Sequence, residues 1–292
     1  MGYSARYHAA SLAAVFLALA IGILIGAGLG DNLLSDTEEN LRESLEADIE
    51  SARGEADDLQ VQLDRERAFG ERAYPGLVGD TLAGRRFAVV ALGDLPDSVS
   101  NDIEDALEPS GGKLASVVVA RIPPDVSAIA DALGPRFDDL DQEPAQLQEI
   151  GSDIGSQLVV GSGRRLARLR DVVFTRSSGE GGRLDGAVVY RAGRGELEPE
   201  QEEAADALEL GLVNGLASTG VPVVAVERSG ADESAIPFFA PLEVATVDSV
   251  DLTSGRTALV FALLGAEGNF GIKETANTLL PELLQPAGGA GD

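Results

Sequence analysis

Residues 86–94 read RFAVVALGD. From Phe87 to Leu92 no polar side chain interrupts the run, and Gly93 and Asp94 supply a turn directly behind it. A half-exposed strand would alternate polar and apolar positions, so a short unbroken run bounded by a turn predicts that Arg86–Leu92 is a strand buried on both faces. Such strands need helices above and below the sheet. The same texture recurs at Ser116–Ala120, Gly186–Tyr190 and Val221–Val226, with helical patterns at Ser98–Leu107, Ala145–Val160, Pro199–Thr219 and Ser254–Leu264. Pro199 falls near the first helical position, where its missing N–H costs nothing. Apolar strands alternating with helices predict a mostly parallel, doubly wound sheet with right-handed crossovers. The expected fold over 84–282 is a Rossmann-like or flavodoxin-like three-layer α/β domain, followed by a flexible tail at 283–292.

Ligands of such sheets sit beyond the carboxyl ends of the strands. The first of these loops, ALGDLPDSVS, lacks the G-x-G-x-x-G turn that brings backbone close to a pyrophosphate. Gly161-Ser162-Gly163 holds a fragment of it, in a context that reads as a helix end. Asp94, Asp97 and Asp102 are hard-cation ligand types, yet Asp97 and Ser98 read more simply as N-caps of the following helix. The single histidine, His8, lies outside this region, which excludes a Ser–His–Asp set, and no carboxylate pair stands out among so many. The domain is expected to be non-enzymatic, with no cofactor.

Upstream, Tyr74, Pro75 and Gly76 punctuate the end of a polar stretch, read as a stalk over 31–73. Leu45, Ile49, Ala52, Ala56, Leu59 and Leu63 alternate spacings of four and three, a coiled-coil seam with Gly54 on the outer face. A polar helix with one apolar stripe must bury that stripe, and self-association is the favoured way.

Before the stalk lies AASLAAVFLALAIGILIGAGLGD, residues 9–31. Residues 9–30 would span roughly 33 Å as a helix, against a hydrocarbon core of about 30 Å. That exceeds the apolar core of a secretory signal, so the segment reads as a retained transmembrane anchor. Arg6 precedes it, and Asp31, Asp36, Glu38 and Glu39 follow. The positive-inside rule then puts the 1–8 tail in the cytoplasm and the stalk and α/β domain outside the cell membrane. Ala10, Ala14, Ala18, Gly22, Gly26 and Gly30 form a stripe of small side chains, the pattern that lets membrane helices pack closely. Stripe and seam together predict a homo-oligomer, with a dimer favoured.

Composition narrows the partners. Net charge is −27, from 49 acidic and 22 basic residues, which repels nucleic acid and anionic lipid headgroups. Cysteine is absent and Met1 is the one methionine, which excludes disulfides, thiolate metal sites and cysteine nucleophiles.

Two segments carry a family resemblance: YHAASLAAVFLALAIGILIGAGLGDNLL near the N-terminus, and VATVDSVDLTSGRTALVFALLGAEGNFGIKETANTLLP near the C-terminus. Both resemble the actinobacterial copper-transporter family typified by the mycobacterial copper transport protein MctB, and the order of parts also matches. The resemblance implies an envelope protein of copper efflux or homeostasis, suspected of forming a channel. A related branch implies an alternative: an adaptor whose coiled coil and head recruit a cell-wall or cell-separation partner. The family motif falls on Gly268, Asn269, Phe270, Gly271 and Lys273; where relatives often carry His and Tyr, this chain has Asn269 and Phe270. The residues themselves read as a tight glycine turn before a terminal helix, with Phe270 plugging the core.

Copper is implied only by the resemblance. Cu(I) seeks thiolate or thioether ligands and Cu(II) imidazole. His8, at the cytoplasmic mouth of the membrane helix, is the one metal candidate, and an interfacial polar role accounts for it better.

Overall fold

A computed structural model describes residues 5–282; the expected tail at 283–292 lies outside them. The chain divides into two compact units, residues 1–66 and 67–292. The helix α1, Ala5–Val78, carries the first unit and enters the second. Within it, Tyr7–Gly26 is long and apolar enough to cross a membrane, with mean hydropathy 2.5. Between Leu41 and Glu66 every side chain is exposed, the six seam residues included.

The second unit is built on a seven-stranded sheet in the order β3-β2-β1-β4-β5-β6-β7. The remaining elements run β1 Arg86–Leu92, α2 Asp97–Leu107, β2 Lys113–Ala120, α3 Val126–Leu133, α4 Pro144–Val160, α5 Arg164–Val173, β3 Phe174–Gly179 and β4 Gly186–Arg191. They continue with α6 Pro199–Ala217, β5 Val223–Val226, α7 Ile236–Phe239, β6 Ala245–Val247, α8 Thr253–Leu263 and β7 Asn269–Phe270. All pairings are parallel except β2 with β3.

The unbroken apolar runs have the predicted consequence. Along β1, Ala88, Val90 and Leu92 enter one buried cluster with Ile150 and Ile154 of α4 and Leu208 and Leu212 of α6. Phe87 and Val89 enter the other, with Ile103 of α2 and Leu259 of α8. The sheet is thus covered by helices on both faces, which is why its central strands show no polar alternation.

Residues 67–73, assigned to the stalk from sequence, belong with the second unit. The helix does not stop at Pro75. Tyr74 and Val78 are buried in the second cluster, and the Tyr74 hydroxyl donates to the Ala106 carbonyl at 2.7 Å. Burial pushes the Tyr74 phenol well above its ordinary pKa, opposed by the Arg256 guanidinium. Glu71 accepts from Thr253 Oγ1 at 2.8 Å and pairs with Arg256.

Helices α4 and α6 pack closely against each other. Gly151 and Gly155 face Gly211 and Gly215, so backbone lies on backbone. A Cβ on Gly151 would sit 2.8 Å from the Leu208 carbonyl oxygen, and one on Gly155 would overlap that of Leu212. The small-xxx-small spacing sought in the membrane segment therefore also occurs here, between two helices of the head.

Candidate functional site

From β1 the chain moves to β2 and β3 on one side, then returns to β4 on the other side of β1. The loops after β1 and β4 diverge at that reversal, the place where open α/β sheets form a crevice. Two clefts open there. One of about 530 Å³ is lined by Pro96, Ser98, Tyr190, Arg228, Ser229 and Asp251. The other, of about 640 Å³, is lined by Asp94, Arg121, Asp125, Thr175 and Arg194.

At the carboxyl end of β4 two arginines turn onto α6. Arg191 Nε donates to Glu209 Oε2 at 2.7 Å, and its guanidinium stacks 4.1 Å from the Phe238 ring centroid. Arg194 also pairs with Glu209, and its Nη1 donates to Asp206 Oδ1 at 2.8 Å. Glu209 is fully buried with Oε1 unpartnered, and burial raises its carboxyl above the ordinary range despite both arginines.

At the end of β5, buried Glu227 accepts from the Ala235 N–H at 2.7 Å, Ser234 Oγ at 2.9 Å and Lys273 Nζ at 2.7 Å. Lys273 Nζ also donates to the Arg228 carbonyl at 3.0 Å. Arg228 Nε reaches Asp102 at 2.8 Å; burial nonetheless raises the Asp102 carboxyl. Asp251 accepts from the N–H and the hydroxyl of Ser229, both at 2.6 Å. Burial alone would raise its carboxyl, but those bonds prevail and hold it below the ordinary range.

Beyond β6, buried Asp248 accepts the N–H groups of Ile272 at 2.8 Å and Lys273 at 2.9 Å. Gly271 adopts φ +142°, and a Cβ there would run into the Asp248 carboxylate. Gly268, at φ +133°, accepts the Thr246 N–H at 3.0 Å, and Asn269 Oδ1 accepts Thr246 Oγ1 at 2.9 Å. Phe270 is buried in the second core cluster. The motif is a strap: β7 extends the sheet, Asp248 holds the following backbone, and Lys273 neutralises Glu227. Among the described residues no terminal helix follows it: 271–282 form bends and turns, with Thr278 bridged to Phe270.

Other sequence candidates resolve locally. Pro96, not Asp97 or Ser98, is the N-cap of α2 and makes no side-chain cap. The capping expectation fails because Pro96 ends the extended approach one residue earlier, leaving Asp97 inside the first turn. Gly161 takes the left-handed C-cap of α4, and Gly163 begins α5 against the Gln157 side chain. That is a helix junction, not a phosphate loop. Asp94, Asp97 and Asp102 do not form a ligand set: among the described residues no group of three or more His, Cys, Asp or Glu could hold a metal. His8 is exposed on α1. Nothing lies within 4 Å of a Cβ placed on Gly22 or Gly26.

The model of the family described as copper transport outer membrane protein, MctB, matches residues 3–281. The chain belongs to this family. No curated protein matches it. Family membership covers both the apolar helix and the Gly268–Lys273 strap. Glu227, Asp248, Glu209, Arg191 and Arg194 escaped the sequence reading, although Glu227 and Asp248 stand directly behind β5 and β6, Arg191 closes β4 and Arg194 follows it. A charged residue directly behind such a strand was the available signal.

Proposed function

We propose that the chain is a single-pass, membrane-anchored envelope protein with a role in copper efflux or homeostasis. The observation that carries this reading is the family match over residues 3–281, joined to the apolar span Tyr7–Gly26. The flanking charges favour a cytoplasmic N-terminus in the cell membrane, with stalk and head outside. The head is a non-enzymatic, Rossmann-like domain without cofactor. The strand order supports that kinship, and β3, antiparallel to β2, is its departure from an all-parallel sheet. The crevice supports the non-enzymatic reading: Arg191, Arg194, Arg228 and Lys273 are each paired with a carboxylate.

Copper enters as cargo. With no cysteine, one methionine at position 1 and only His8, the donor set does not suit Cu(I), and it offers Cu(II) only carboxylates and one imidazole. A contribution through assembly fits the residues better than a ligand cage in the head. The exposed seam from Leu45 to Leu63 supports a coiled-coil stalk and a homo-oligomer, with a dimer favoured.

The same donor set favours a second reading, an envelope adaptor that recruits or regulates a cell-wall or cell-separation partner. Growth of a deletion strain across copper concentrations, with morphology scored in the same cultures, separates them. Copper-sensitive growth with normal morphology is the expected result. Chained cells indifferent to copper would overturn the copper reading in favour of the adaptor.

A further inference from the structure

We infer that two copies of the chain join through residues 45–63 of α1 in parallel and in register, with Asp48 of each facing the partner's Arg53. The inference rests on the dimer reading above and adds orientation, register and the charge pair.

In heptad terms Leu45, Ala52 and Leu59 take the d positions, and Ile49, Ala56 and Leu63 the a positions. All six side chains are exposed in the single chain. Ile at a beside Leu at d, as in Ile49 and Leu45, favours two strands. Ala52 and Ala56 narrow the middle of the seam, so the helices approach closest there. The residues flanking the seam then set orientation. Asp48, Glu55 and Gln62 occupy g; Glu46, Arg53 and Gln60 occupy e. In a parallel pair each g residue meets the partner's e residue five positions on. That brings Asp48 to the partner's Arg53, twice by symmetry, and sets Glu55 beside the neutral partner's Gln60. In an antiparallel pair with full seam overlap, g meets g and e meets e. Glu55 would then face the partner's Glu55, and Arg53 the partner's Arg53.

Two further observations agree. Among the described residues, Asp48 and Arg53 have no ion pair within their own chain, so both are open to a partner. The anchor Tyr7–Gly26 and the seam also lie on one continuous helix. Two copies inserted the same way in one membrane must present their seams in parallel.

The chain contains no cysteine, so single cysteines report the geometry directly in the full-length protein in native membranes or nanodiscs. A disulfide needs Cβ atoms about 3.5–4.5 Å apart. Ala52→Cys and Ala56→Cys, two independent variants, are each expected to form covalent dimers under mild oxidation, while Gly54→Cys on the outer face stays monomeric. Asp48→Arg in the Ala52→Cys background should weaken dimerisation about fivefold, and adding Arg53→Asp should restore it. Cross-linking seen only between mixed Leu45→Cys and Leu63→Cys chains would overturn the parallel register while leaving the dimer. Equal cross-linking at Gly54→Cys would overturn the seam, and an unchanged yield in Asp48→Arg the charge pair. A monomeric or trimeric mass for the unmodified chain would instead overturn the dimer reading itself.

Discussion

Lys273 is the most exacting test of the strap. Its ammonium lies 2.7 Å from Glu227, whose side chain is 3% exposed, and it also bonds the Arg228 carbonyl. Lys273→Met keeps the apolar stem and removes the charge, leaving a buried carboxylate without its cation. Breaking a buried pair in this way costs roughly 3–5 kcal/mol. Glu227 would retain the Ala235 N–H and the Ser234 hydroxyl, which places the expected loss near the lower end, about 3 kcal/mol. For a unit of this size that corresponds to a fall of roughly 6–12 °C in Tm. The assay is differential scanning calorimetry of the full-length chain in detergent, with near-UV circular dichroism following the tyrosines. Glu227→Gln in the Lys273→Met background removes the stranded charge and should recover at least half of the loss. A Tm within about 2 °C of the parent, or a double variant no better than the single one, would refute the reasoning.

Four other substitutions test separate parts of the molecule. Gly155→Ala gains about 1 kcal/mol of helix propensity but drives a Cβ into the Leu212 carbonyl, for a net loss of about 1–3 kcal/mol by urea unfolding. Gly54→Ala meets nothing within 4 Å and should instead increase amide protection along this part of α1 in hydrogen exchange. Tyr74→Phe leaves the Ala106 carbonyl without its donor and should cost about 1 kcal/mol in the same unfolding assay. The Asp251 carboxyl should titrate below ordinary aspartate by NMR, and Ser229→Ala should move it upward. Because the folded value is depressed, its stabilising contribution is present above the unfolded pKa and lost as pH falls through the folded one.

The central strands were legible because burial on both faces leaves an unbroken apolar run: the predicted Arg86–Leu92 matches β1 residue for residue, and Gly186–Tyr190 falls one residue short of β4. The edge strand β3, FTRSSG, was not, since only Phe174 is buried and its pattern carries no period. β6 and β7 are three and two residues long, too short for periodicity to register. Around the crevice, the charged residues behind β4 and β5 stood in plain view without their pairings. Glu209 follows Arg191 by 18 positions and Lys273 follows Glu227 by 46, and no spacing rule joins residues that only the sheet brings together.

The membrane-length apolar span, the α/β class and the exclusion of thiolate chemistry follow from the sequence alone, because length, local periodicity and composition are properties of the chain itself. The tertiary structure decided what the glycines and charges do. It showed Gly151, Gly155, Gly211 and Gly215 to be a backbone-on-backbone contact inside the head. It turned the family motif into a strap held by Asp248 and neutralised at Glu227. Those roles depend on distances between residues far apart in the chain, and such distances exist only once the sheet has set its strand order.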